Sequence, residues 1–354
     1  MKIAYILSEC GNFGPFIVTR DIIENIVDKV EKIDVYYLKE SNEKLSFKAE
    51  CKKINLLDTI NFDQYDILHS HGFLADMFLF LHRKKIKCKR ITTLHQCIRP
   101  DYSMSYNAMV GFSIEILWCC FVNNFNAVVT LTMNMKDYYR HKLPENSLFY
   151  IYNGITQNIL ENIDPEDERR ILMLKNKYLL VGVSARLITR KGIDQLIKLL
   201  SIDSHIAVAI LGDGPEKSNL IKLATQLKVV DRCLFLGYRK HAINYYRYFD
   251  VYAMVSRSEG FGLCVIEAAS QKVPVVCADI PTFFELFTEE EVVRYKLDDV
   301  ESLKNAVNYI VQYNSKYADN VYMKYLKCYS SSIMASNYLN LYERIMNNKN
   351  PFLI

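Results

Sequence analysis

Short runs of β-branched and other apolar residues recur along the chain, and helix-length amphipathic stretches separate many of them. In the N-terminal half, residues 2–7, 33–38, 66–70, 90–94, 127–132 and 148–152 read as strands. In the C-terminal half, residues 179–184, 206–211, 233–236, 250–255, 274–278 and 292–295 do the same. Helical spacing is clearest at residues 16–30, 194–200, 217–227 and 261–271. Strands alternating with helices predict βαβ units and parallel sheets. Twelve strands are too many for one usual open sheet, so two sheets of about six are expected. The polar stretch ENIDPEDERR at 161–170 reads as the linker between them. From Ala318 to about residue 348 the pattern is helical, rich in Tyr and Asn, and without a motif.

A chain of 354 residues also predicts two domains, or three, at about 150 residues each. Hydrophobic content of 50% and charged content of 24% suit a soluble globular protein and argue against disorder, collagen or coiled coil. A net charge of +4 is too weak to indicate nucleic-acid binding. The 10 cysteines include no C-x-x-C pair, and the opening MKIAYILSECGNF reads as a first strand rather than a leader. Reduced thiols in a cytoplasmic compartment are therefore expected. The oily stretch at 108–122, AMVGFSIEILWCCFV, is shorter than the roughly 20 residues of a span and contains Glu115. It reads as a buried helix, or as one that also touches a membrane or a lipid-linked substrate. Residues 82–90 hold six cations in nine positions: a solvated helix end, or a patch for anionic lipid headgroups. Interleaved aromatics suited to nucleic acid are missing there.

Glycine narrows the search for chemistry. There are only 12, well under the usual fraction of about 7%, and most lie at expected strand ends or strand-to-helix loops. In open α/β sheets those loops line the ligand crevice. In S-R-S-E-G-F-G-L-C-V-I-E (256–267), a strand gives way to a two-glycine loop and then a helix. Free N–H groups at that helix start can hold an anion or a sugar hydroxyl, and Glu259 and Glu267 can face the same crevice. Glu267 sits in an apolar setting and needs a partner. In V-S-A-R-L-I-T-R-K-G (183–192), Arg186 and Lys191 lie in one loop, where two cations can neutralise a diphosphate; Arg190 reads as the solvated member. G-D-G-P (212–215) is by itself a turn, and C-G-N-F-G-P-F (10–16) is a loop that could approach a phosphate or an acceptor. That loop is not the G-x-G-x-x-G fingerprint, which disfavours a nicotinamide dehydrogenase. His69 and His71 share a strand face, but no third ligand is spaced to complete a metal site. His71 and His95 sit at strand ends, as a structural or a ligand-facing pair.

Taken in order, R-x4-K-G, G-D-G-P, F-L-G-Y (235–238) and E-G-F-G-L-x3-E resemble the retaining glycosyltransferases of family 4. H-S-H-G at 69–72, T-L-H at 93–95 and I-Y-N-G-I at 151–155 extend the resemblance to roughly residues 1–310. Two departures stand out: Asn-Phe-Gly in the first loop, where many members have paired glycines, and Thr156, where Asp often follows.

The resemblance implies a GT-B fold: two Rossmann-like parallel-sheet domains facing a central cleft. Residues 1–163 would bind the acceptor, 164–330 the nucleotide sugar, and a C-terminal helix within 331–354 would cross back to the first domain. Arg186 and Lys191 would hold the donor diphosphate, with Gly14 near the phosphates, and Glu267 the ribose. Gly212 and Gly214 would line the donor site. Glu259, with Gly260, Phe261, Gly262 and Leu263, would hold the donor sugar, which His95 would touch. Asn12, Phe13 and His71 would lie on the acceptor side. The implied reaction moves a hexose or N-acetylhexosamine from a nucleotide sugar, UDP favoured and GDP compatible, to a saccharide acceptor. That acceptor is expected to be lipid-linked, in surface polysaccharide or lipopolysaccharide synthesis on the cytoplasmic face of the membrane. No metal or other cofactor and no nucleic-acid partner is expected, since the nucleotide sugar is itself a substrate. A GT-B nucleotide-sugar epimerase and a non-catalytic, donor-binding partner subunit are the alternative readings.

Overall fold

A computed structural model describes residues 1–41, 43–157 and 161–347. The tail of the expected C-terminal helical region, residues 348–354, lies outside the described residues. The chain forms two compact units. The first holds residues 1–156 together with the chain from Cys328 onward, and the second holds Gln157–Lys327.

The first unit carries the strands β1 (Lys2–Leu7), β2 (Lys32–Tyr37), β3 (Glu50–Lys53), β4 (Ile67–His71), β5 (Lys89–Leu94), β6 (Ala127–Thr130) and β7 (Leu148–Tyr150). They form one parallel sheet in the order β3-β2-β1-β4-β5-β6-β7. The second unit carries β8 (Leu179–Ser184), β9 (Ile206–Leu211), β10 (Cys233–Gly237), β11 (Val251–Met254), β12 (Val275–Ala278) and β13 (Val293–Tyr295). Their order is β10-β9-β8-β11-β12-β13, again all parallel. The central strands are buried along nearly their whole length, which is what near-continuous apolar runs require of parallel strands covered by helices. In each sheet the order reverses once, between β1 and β4 and between β8 and β11. The carboxyl ends at such a reversal are where open α/β sheets bind ligands.

Two local expectations are corrected. β3 was not expected, because Glu-Cys-Lys-Lys is exposed throughout and pairs only at the sheet edge with β2. Residues 161–170 are not simply a linker, since a helix runs over Pro165–Lys175. Asp164 caps it by accepting hydrogen bonds from the N–H groups of Glu166 and Asp167, proline opens it, and acidic residues fill its first turn. Those same polar residues favour a helix start as readily as a loop. No helix among the described residues is long and apolar enough to cross a membrane.

The helix Ser331–Met346 belongs to the first unit, where it lies against the helix Gly14–Ile26. The chain leaves this unit through I-Y-N-G-I-T, and the returning chain pairs with it. Ile155 N–H donates to Tyr329 O at 3.0 Å and Ser331 N–H donates to Ile155 O at 2.9 Å. A Cβ on Gly154 would stand 2.3 Å from Ser330 O, so only glycine allows this approach. Thr156 has a structural use of its own, its hydroxyl donating to Ser331 Oγ at 2.9 Å.

Candidate functional site

Two backbone segments meet at the carboxyl ends of β8 and β9. Beyond β8, Ala185 N–H donates to Leu211 O at 3.0 Å, and Leu187 N–H donates to Asp213 O at 2.9 Å. Gly212 has φ +127°, and a Cβ there would stand 1.9 Å from Ala185 O; one on Gly214 would stand 2.3 Å from Leu187 O. The G-D-G-P glycines thus let two loops lie side by side, and the segment they hold is the one bearing Arg186. Arg186 is exposed, and its guanidinium has no hydrogen bond or ion pair among the described residues.

Lys191 is held differently. Gly192 is left-handed, φ +65°, and a Cβ there would stand 2.1 Å from Val255 O, so the turn is pressed against the end of β11. From this turn Lys191 Nζ donates to Glu259 Oε1 at 2.5 Å, and both side chains are largely buried. Burial works against the Glu259 charge, but Lys191 and Arg190 more than offset it and hold the carboxyl below its ordinary range. Arg190 is not the solvated residue of its loop, because its guanidinium donates to Ser258 O at 2.8 Å. Arg257, not singled out in the sequence, locks the same corner. Its guanidinium bonds Thr189 O, Asp194 and Asp298, and its N–H donates to Arg190 O at 2.8 Å. The signal was an arginine directly after a strand, within S-R-S-E-G.

Gly260 and Phe261 are buried, and Gly262, φ +85°, opens the helix Leu263–Ser270 with no side-chain cap. Val265 N–H donates back to Gly262 O at 2.9 Å, which leaves the N–H groups of Leu263 and Cys264 at the helix start without an intrahelical acceptor. Glu267, half-buried further along the helix, accepts the Tyr246 hydroxyl at 2.8 Å, which supplies the partner its apolar setting demands. Arg186, Lys191, Gly212, Gly214, Glu259 and the segment 260–267 thus gather at the β8/β11 end of the second sheet.

A second set gathers in the first unit, at the ends of β1, β4 and β5. Gly14 starts the helix Gly14–Ile26, Phe13 is exposed, and Asn12 is half-buried in the loop before it. Ser8 N–H donates to His71 O at 3.1 Å, tying this loop to H-S-H-G. His71 Nδ1 and His95 Nε2 share a hydrogen bond at 2.9 Å. His71 Nε2 is buried without a partner among the described residues. His69 is structural: its ring nitrogens meet the Tyr342 hydroxyl at 2.7 Å and the Thr93 hydroxyl at 2.9 Å. Tyr342 also bonds Tyr5 at 2.9 Å, and Thr93 bonds Tyr338 at 3.0 Å. Burial pushes His69 and His95 down to about 3, and His71 well below its ordinary value. All three rings are therefore neutral at physiological pH. The tyrosines came from a segment whose sequence carried no motif, so this network was not legible before the helix was placed.

Two family models match the chain. Glycosyltransferase Family 4 covers residues 23–158, and Glycosyl transferases group 1 covers residues 164–324. The O-antigen biosynthesis glycosyltransferase WclY of Escherichia coli is 30% identical over 351 residues, 98% of this chain and 99% of that protein. Among solved structures, sucrose-phosphate synthase from Thermosynechococcus elongatus aligns with a TM-score of 0.83 at 18% identity, covering 99% of this chain and 100% of that one. HepE of Anabaena, in complex with UDP and glucose, aligns at 0.82 and 18% identity, covering 97% and 99%. The chain belongs to the family 4 glycosyltransferases, with the two Rossmann-like parallel-sheet units of the GT-B fold.

Proposed function

We propose that this glycosyltransferase moves a hexose or N-acetylhexosamine from a UDP sugar to a lipid-linked saccharide in the synthesis of a surface polysaccharide, with retention and without a metal. GDP remains a compatible base. The observation that carries the donor side is Arg186, exposed and unpartnered among the described residues, beside the Lys191–Glu259 pair and the uncapped helix start at Gly262. The likeness to a glycosyltransferase named for O-antigen biosynthesis supports the pathway, and the likeness to a UDP complex supports the base.

The chemistry follows from charge. As the bond from the anomeric carbon to the diphosphate breaks, negative charge grows on the phosphate oxygens. Arg186 can grip them bidentately, and the ammonium of Lys191 gives one N–H to Glu259 and keeps two for phosphate. The amides of Leu263 and Cys264 at the helix start add fixed dipoles. Glu259, held ionised, accepts sugar hydroxyls and is not a proton donor. Glu267, steadied by Tyr246, accepts ribose hydroxyls. The new bond forms between the acceptor oxygen and the anomeric carbon on the face that the diphosphate leaves. The acceptor proton passes to the departing phosphate oxygen. Gly212 and Gly214 serve by holding the Arg186 loop. In the first unit His95 is held by His71 as a neutral ring at the strand ends, where Asn12, Phe13 and His71 serve the acceptor.

The test is a transfer assay with UDP and GDP sugars and lipid-linked saccharides in EDTA, with the product anomer read by NMR. One base should support transfer, and the product should keep the donor's anomeric configuration. An inverted product, or transfer that needs added metal, would overturn the mechanism.

A further inference from the structure

The helix Ala108–Val122 lacks the usual charged outer face, since it buries Gly111, Trp118, Phe121 and Val122 yet is apolar outward as well. Its inward side carries polar groups, and each is satisfied. Trp118 Nε1 donates to buried Asp76 at 2.6 Å, and Glu115 accepts the Tyr138 hydroxyl and pairs with Lys142 at 2.9 Å. Its outward side carries Met109, 79% exposed, and Phe112, Ile116 and Leu117, each about half exposed. Met104 and Tyr106, just ahead of it, are exposed as well. No Asp or Glu stands among the exposed residues of this helix. The helix is thus not simply buried, as one reading of its sequence had it.

Its last turn adjoins the basic segment. The Phe121 and Phe80 rings lie 5.1 Å apart, and the Arg83 guanidinium sits 4.1 Å from the Phe80 ring centre. Arg90 lies 5.1 Å from the Phe125 ring centre and donates to Asn124 O at 3.0 Å. Arg83, Lys84, Lys85 and Lys87 are exposed.

We propose that this face of the first unit docks on an anionic lipid bilayer. The outward residues of the helix enter the headgroup region, and Arg83, Lys84, Lys85 and Lys87 meet lipid phosphates. An exposed apolar patch with a polar rim marks an interaction surface. A helix too short to span, with a cationic flank, suits the plane of an anionic interface. A second copy fits less well, because an isologous contact would set the same cationic rims together. The proposal builds on the lipid-linked acceptor reading but needs no donor to be tested.

The experiment is co-sedimentation of the full chain with vesicles of phosphatidylcholine, with and without phosphatidylglycerol. The variants are Phe112→Asp/Ile116→Asp and Lys84→Glu/Lys85→Glu, both at exposed positions. Wild type should sediment with the anionic vesicles only and be released by high salt. Each variant should lose on the order of tenfold in partitioning while keeping the wild-type melting temperature. Equal sedimentation with neutral vesicles, or unchanged binding in both variants, would overturn the proposal. So would a dimer that Phe112→Asp/Ile116→Asp makes monomeric without any vesicle binding. Vesicle binding in a protein that responds to no nucleotide would sustain the docking surface and count against the donor reading, so the two failures separate.

Discussion

Arg186 and Lys191 sit in one loop, yet removing them has different physical consequences. Arg186 is exposed with no partner among the described residues, so Arg186→Ala should leave stability within about 0.5 kcal/mol of wild type. Lys191→Ala leaves the buried Glu259 carboxylate unpaired and should cost on the order of 3 kcal/mol in a urea melt. Adding Glu259→Gln should recover part of that loss, and no recovery would mean that Lys191 stabilises by packing alone. The sequence separated these arginines and lysines only by spacing, so Arg190 read as solvent-facing when it is tied to Ser258 O.

The histidines make a pH prediction. His69 and His95 are pushed from an ordinary 6.5 to about 3 by burial, and His71 is lowered as well. Between those values the unfolded chain binds more protons, so stability falls as the pH drops below 6.5. From pH 7 to 5 each histidine held neutral costs roughly 1–2 kcal/mol. Asp76, pushed up to about 6 by burial, works in the opposite sense and returns about 1 kcal/mol. The net expectation is a lower urea midpoint at pH 5 than at pH 7. A midpoint that rises on acidification would contradict the buried neutral cluster.

At the scale of elements, the helix Ser331–Met346 is fastened to the first sheet by hydroxyls as well as by apolar contact. Tyr342 bridges Tyr5 and His69, so Tyr342→Phe leaves two buried polar groups without their partner. A loss of about 1–3 kcal/mol is expected, against almost none for an exposed tyrosine such as Tyr106→Phe. The loop after β9 makes a second case. Gly212→Ala forces a Cβ against Ala185 O at φ +127° and should both destabilise, by about 1–3 kcal/mol, and weaken donor binding by moving Arg186. Strands whose apolar runs are buried were legible from sequence. The exposed edge strand β3 and the helix Pro165–Lys175, which buries only Asp167 and Ile171, were not. Periodicity reports burial, and these two elements have little of it.

For the whole molecule, the reversal of strand order in each sheet decides which loops can matter. Four motif loops follow β1, β4, β8 and β11, the strands that flank the two reversals, while G-D-G-P and His95 follow the next strands out, β9 and β5. Sequence spacing placed these loops at strand ends but could not order the strands, so it could not show that 183–192 and 256–267 are neighbours. Order in a parallel sheet is set by crossover packing between distant segments, which local pattern does not record. The tyrosine and histidine network was hidden for the same reason, since Tyr342 and His69 are far apart in the chain.

The most direct measurement is calorimetric titration of UDP, in EDTA, into wild type and Arg186→Ala. The account predicts metal-independent binding by wild type and at least about a tenfold loss in the variant, the share expected of one charge-assisted, bidentate contact. Both proteins should melt at the same temperature without ligand. Equal affinity in the two, or binding only when a divalent metal is restored, would contradict the donor site assigned to the end of β8.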